Sequence, residues 1–261
     1  MEKLRVGCPW DREQTHDSLK PYFVEEVHEA LEAIEEGDDA GLVEELGDVL
    51  LQVVFHAELL RERGQYAIDD VVRGIASKLV RRHPHVFGEV TVSGTGEVLK
   101  NWYDLKAAER KAKRGADASV LAGVPKSLPS LLRAQRLGEK AGTVGFDWPD
   151  ADAVLGKVAE EVNELRAALA SGDKAHAQAE LGDLAFALSQ LARHAGVDAE
   201  EGLRGTCDRF TERFHYIERA LRERGQEIKA TPMAELDRLW DEAKEATKKP
   251  LPPLEKPRPG P

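Results

Sequence analysis

The chain has 261 residues, with 37 basic and 48 acidic side chains and a formal net charge of -11. That balance argues against a broad nucleic-acid or membrane surface, because phosphate groups would be repelled on average. Met1 to Asp11 holds no apolar run of signal-peptide length and no later stretch approaches a membrane span, so the sequence predicts a soluble, cytoplasmic protein. Cys8 and Cys207 have neither the count of a disulfide scaffold nor a metal-binding spacing, and are expected to be free thiols.

In chain order, Leu19, Phe23, Val27, Ala30, Leu31 and Ile34 recur at three- and four-residue steps and predict one amphipathic helix, stopped by Gly37. A second helix is expected over Ala40 to Arg63, with Leu42, Val43, Leu46, Val49, Leu50, Val53 and Val54 along one face, until Gly64 breaks it. Asp69 to Arg82 and Glu97 to Arg114 read as a third and a fourth. Alternating β-branched runs are nearly absent; Glu89 to Thr95 gives the one hint of a strand. The second half repeats the order, with helices expected over Asp150 to Ala170, Lys174 to Ala195, Asp198 to Arg224 and Thr231 to Thr247.

This is a duplication. Glu25-Glu26-x-x-Glu29 and Glu45-x-x-Asp48 return as Glu160-Glu161-x-x-Glu164 and Glu180-x-x-Asp183, each displaced by 135 positions (Glu25 to Glu160). Val27, Ala33, Gly37, Asp38, Leu46 and Gly47 return in the same register as Val162, Ala168, Gly172, Asp173, Leu181 and Gly182. Lys78 and Arg82 match Arg209 and Arg213 at an offset of 131, and Trp102 matches Trp240 at 138. The expected architecture is all-α, two tandem four-helix repeats forming helical bundles: residues 1–115, a Gly- and Pro-bearing linker at 116–130, residues 131–247, and a Pro-rich disordered tail at 248–261.

The repeated acids suggest metal chemistry. Glu25, Glu26 and Glu29 share a sector of the first helix, and Glu45 and Asp48 share one of the second. Asp48 lies among Leu46, Val49, Leu50 and Leu51, where an unpaired charge is costly to bury, so a cation should sit beside it. Hard oxygen ligands without paired Cys or His suit Mg²⁺ or Mn²⁺ better than softer metals. Glu25-x-x-His28 imitates a di-iron ligand pair, but Asn163 replaces His28 in the second copy. The spacing of Arg209 and Arg213 can present two cations to a phosphate chain, or a pair of surface salt bridges. Lys157 shares the face of Glu160 and Glu161. Trp10, Trp102, Trp148 and Trp240 suit either base stacking or core filling. His83-Pro84-His85 has no second copy and reads as a turn.

Several segments together resemble the MazG family of tandem-repeat nucleoside triphosphate pyrophosphohydrolases. They are Cys8-Pro9-Trp10-Asp11, Gln14-Thr15-His16, Leu19-x-Pro21-Tyr22, both acidic motifs, Arg81-Arg82-His83-Pro84-His85-Val86-Phe87-Gly88, Lys100-x-Trp102 and Gly145-Phe146-Asp147-Trp148. The resemblance covers about residues 5 to 247. It implies an all-α fold in which four-helix units pair into larger bundles, a homodimer, and Mg²⁺-dependent hydrolysis of NTPs and dNTPs to nucleoside monophosphate and pyrophosphate, a house-cleaning of nucleotide pools. It places metal ligands on Glu161, Glu164, Glu180 and Asp183, and nucleotide contacts on Lys157, Glu160, Arg209, Arg213 and Trp240. The first-copy counterparts are Glu26, Glu29, Glu45 and Asp48, with Glu25 matching Glu160.

One departure stands out: Tyr22 aligns with Lys157, so the first copy lacks that lysine unless Lys20 substitutes. Glu160 or Glu161 could orient or deprotonate the attacking water, while the arginines would stabilise the leaving group. The alternative is a helical module that binds nucleotide or a protein without turnover. Complete acid sets in both copies argue against it.

Overall fold

The computed structural model describes residues 1–114 and 119–247. The expected tail at 248–261 and residues 115–118, at the end of the first expected repeat and the start of the linker, lie outside the described residues. The chain divides into two compact units, Met1–Ala108 and Glu109–Pro261. Among the described residues the structure is helical, without a strand.

The first unit opens with short helices α1 (Glu2–Gly7) and α2 (Pro9–Glu13), then α3 (Lys20–Glu36), α4 (Asp39–Glu62), α5 (Ile68–Arg82), α6 (Pro84–Phe87) and the start of α7 (Thr95–Arg114). The expected helices are present with ends shifted by a residue or two. The strand hinted at over Glu89 to Thr95 is not formed. There the Ser93 backbone N–H and hydroxyl both donate to Glu97 Oε2 at 2.8 Å, so the segment leads into α7 instead of a ladder. The run His83-Pro84-His85 is the junction of α5 and α6, with the His83 ring 2.8 Å from the Leu79 carbonyl.

The second unit contains α8 (Ser130–Gly142), α9 (Ala151–Ser171), α10 (Lys174–Ala195), α11 (Ala199–Glu223), a 3-10 turn at Ile228–Ala230, and α12 (Met233–Ala246). Helix α8 is additional to the four expected from the sequence. It is held by buried amides: Gln190 Nε2 donates to the Ala134 carbonyl at 2.7 Å, and Gln135 Nε2 to the Val197 carbonyl at 2.9 Å. Contact is close enough that a Cβ at Gly138 would fall 1.7 Å from Gln190 Oε1.

One corner recurs and positions everything that follows. Gly37 adopts φ 70° and ends α3, and the next residue, Asp38, caps α4 by accepting from Ala40 N at 3.1 Å and Gly41 N at 3.0 Å. Gly172 (φ 76°) and Asp173 repeat this, the carboxylate accepting from Ala175 N at 3.0 Å and His176 N at 3.1 Å. Each acid-bearing pair of helices is thus an αα-hairpin with a two-residue connection. Leu19, Phe55 and Leu59 form the core of the first unit; Ile217, Leu221 and Leu239 form one in the second, with Trp240 packed against it.

Candidate metal and phosphate site

In the second unit, α9 supplies Glu161 and Glu164 and α10 supplies Glu180. One carboxylate oxygen from each can be chosen so that all three lie within 4.8 Å of one another. The Glu161 side chain is only 6% exposed. Its Oε1 is 2.7 Å from Lys157 Nζ, while its Oε2 is buried without a hydrogen-bond partner. Lys157 also donates to Glu160 Oε1 at 2.8 Å, and these two carboxylates push its pKa up. Burial raises the Glu164 pKa, and the nearby charges of Glu161 and Glu180 raise it further. Asp183 is exposed and stands outside the three-glutamate cluster.

The first unit builds the same skeleton from Glu26, Glu29 and Glu45, again within 4.8 Å. Burial raises the pKa of both Glu26 and Glu45, with Asp48 and Glu29 adding repulsion at each. Asp48 therefore faces the cluster electrostatically, although it is not one of the three that meet. Glu25 is exposed and outside the cluster. Tyr22 makes an edge contact with Trp10, ring centroids 5.9 Å apart. Lys20 is paired with Asp17, so it does not replace Lys157. His28 is exposed and contributes to neither three-residue cluster.

The arginines take repeated positions on tryptophan. Arg213 lies 5.8 Å above the Trp240 ring centre and Arg82 lies 5.6 Å above Trp102. Arg213 Nε also donates to Thr247 Oγ1 at 3.3 Å, and Arg209 donates to Thr206 Oγ1 at 2.8 Å. Neither Arg209 nor Arg213 is ion-paired with the carboxylates. Trp240 is half-buried against the core and Phe210, so in this structure it fills space. Trp148 follows Asp147, which is clamped by Arg193 Nη1 at 2.8 Å and His194 Nε2 at 3.1 Å. Both cysteines are free.

Two polar neighbours are additional to those read from the sequence. His176 Nε2 lies 2.9 Å from Glu180 Oε1, a pairing signalled by its i,i+4 spacing on α10. Gln52, buried on α4, lies close enough to Glu26 to favour its ionised form, and its Oε1 has no partner. Ala187 stands at the matching place in the second copy, so the repeat pattern itself conceals Gln52.

A tandem all-α chain with a three-glutamate cluster across each of two helical hairpins defines the class. The chain belongs to the MazG nucleotide pyrophosphohydrolase domain family, whose model matches residues 14–87 and again 150–217. It is 45% identical over 246 residues to a Thermotoga maritima protein named nucleoside triphosphate pyrophosphohydrolase/pyrophosphatase MazG, covering 94% of this chain and 92% of the relative. It is 41% identical over 249 residues to the nucleoside triphosphate pyrophosphohydrolase of Escherichia coli K12, covering 94% of each. It also matches the uncharacterized protein YabN of Bacillus subtilis at 47% over 244 residues, which is 93% of this chain and 49% of that longer one.

Proposed function

We propose that the protein hydrolyses nucleoside and deoxynucleoside triphosphates between the α and β phosphorus atoms, releasing nucleoside monophosphate and pyrophosphate, with Mg²⁺ or Mn²⁺ as cofactor. The observation that carries this reading is the unpartnered Oε2 of Glu161, buried within a cluster of three carboxylates. A buried, uncompensated carboxylate oxygen is costly, and a hard divalent cation is the partner that a set of oxygen donors suits. Glu161, Glu164 and Glu180 would hold it, with Asp183 three residues beyond Glu180 on α10. When bound, the cation neutralises the triphosphate and polarises the phosphorus that is attacked.

The chain's own groups do the rest. Lys157 occupies one oxygen of Glu161 and fixes its rotamer, leaving the other for the ion. Glu160 keeps Oε2 outside the lysine contact, so it takes the proton from the attacking water as the new P–O bond forms and the bond from the α phosphorus to the bridging oxygen breaks. Arg209 and Arg213 swing from their threonine contacts to the departing pyrophosphate. Clearance of nucleotide pools in the cytoplasm, and a homodimer, belong to the same proposal. Exposed apolar side chains at matched positions, Leu46 and Leu181, support a further packing partner. No helix among the described residues is long and apolar enough to cross a membrane.

The second repeat is the proposed site of turnover. In the first, Tyr22 packs on Trp10 where a lysine would be needed, which favours binding without hydrolysis there. Incubation with ATP and Mg²⁺, followed by chromatography, is expected to yield AMP and pyrophosphate and to stop with EDTA. ADP and orthophosphate, or metal-independent turnover, would overturn the reading.

A further inference from the structure

The two less exposed glutamates of the second cluster are each held by one oxygen only. Glu161 Oε1 is taken by Lys157 from one turn earlier on α9, at 2.7 Å. Glu180 Oε1 is taken by His176 from one turn earlier on α10, at 2.9 Å. The Glu180 side chain is 15% exposed and that of His176 is 54% exposed, so the ring lies over the carboxylate from the solvent side. An imidazole Nε2–H donates in its neutral Nε2 tautomer or as imidazolium, so the contact needs only that proton. The equivalent residue in the first repeat is Gly41, which has no side chain to hold Glu45.

We propose that His176 is a positioning residue that fixes Glu180 as a one-oxygen ligand and so tunes the second site toward small, octahedral cations. A carboxylate with one oxygen engaged cannot chelate through both. Ca²⁺ tolerates irregular coordination and often takes bidentate carboxylates, whereas Mg²⁺ demands near-ideal octahedral geometry with several positions left to water and phosphate. With Glu161 and Glu180 both restricted in this way, the cluster offers few oxygens in fixed directions, which suits Mg²⁺ and Mn²⁺. Partners that orient a ligand in this manner act on affinity as well as geometry. This inference rests on the proposed metal site and adds to it a residue and a cation preference.

The test uses full-length, nucleotide-free protein carrying Glu29→Gln, so that the first cluster contributes less. Mn²⁺ binding is followed by electron paramagnetic resonance, and Mg²⁺ and Ca²⁺ are titrated as competitors. In that background His176→Ala is expected to weaken Mn²⁺ binding about tenfold and to shift the competition measurably toward Ca²⁺. His176→Gln, whose amide N–H can reach Glu180 across the same turn, is expected to restore both. Unchanged affinity and preference in His176→Ala would overturn the positioning role, as would weaker binding with an unaltered Mg²⁺ to Ca²⁺ preference or without rescue by glutamine. If the parent shows no Mn²⁺ site that Glu164→Gln removes, the metal reading itself fails, and the inference with it.

Discussion

In the second repeat, Lys157 sets a positive charge against Glu160 and Glu161; in the first, Tyr22 holds that place and leans on Trp10. The three-glutamate skeletons match, each within 4.8 Å. What differs is the surroundings: His176 and Lys157 in one, Gly41, Tyr22 and Gln52 in the other. Duplication has kept the carboxylates and changed the groups around them. An acid cluster alone therefore says where a cation could sit, while its neighbours say whether a triphosphate can follow.

The sharpest way to break this comparison is a pair of ligand substitutions. Glu164→Gln is expected to reduce NTP turnover by about two orders of magnitude or more, while Glu29→Gln leaves most of it. Steady-state pyrophosphate release would rank them, and the reverse ranking would move catalysis to the first repeat. Lys157→Ala removes the cation that has no first-repeat counterpart. It is expected to lower kcat/KM by about tenfold to a hundredfold, or roughly 1 to 3 kcal/mol of transition-state stabilisation. An unchanged value would mean that Tyr22 is no handicap to the first site. Arg213→Ala should cost about tenfold in kcat/KM with the helical circular dichroism intact. A parallel loss from Arg82→Ala would show that both repeats act on substrate.

The smallest effect is on stability. Burial and the charges of Glu161 and Glu180 raise the Glu164 pKa above the ordinary glutamate value of 4.5, so the ionised carboxylate is less favourable in the folded chain than in the unfolded one. Its favourable contribution is complete below pH 4.5 and is lost as pH rises through the higher folded value. Without metal at neutral pH, Glu164→Gln should therefore raise Tm slightly, an advantage that disappears on acidification. The same protein should show a smaller Tm rise on adding Mg²⁺ than the unsubstituted chain. Thermal scans with and without Mg²⁺ check both signs.

Much of this was legible in the sequence because it rests on local rules. The long helices follow from three- and four-residue apolar steps, and the corners at Gly37-Asp38 and Gly172-Asp173 from a left-handed stop beside a carboxylate cap. The pairing of Lys157 with Glu160 and Glu161 follows from helix spacing. Helix α8 was harder to read: buried amides, Gln135 and Gln190, tie it to its neighbours. Amides carry no periodic signature. The unpartnered oxygen of Glu161 is a tertiary property, since it depends on what α9 and α10 bury together. His176 had a visible signal, four residues before Glu180, but Gly41 stands at its place in the first repeat, so the duplication does not point to it.

The two-residue corners carry a consequence for how such a chain can evolve. An α-helix advances about 100° per residue, so one residue inserted within α10 ahead of Glu180 would turn that carboxylate away from Glu161 and Glu164. An insertion at Asp173 would loosen the same phase relation. Elsewhere the two copies have drifted in length: the matching offset falls from 135 at Glu180 to 131 at Arg209, between the second and third helices of each repeat. Loop length there is cheap to change. The glycine–aspartate corner acts as a timing mark, across which the copies have kept their count while their other connections were free to gain or lose residues.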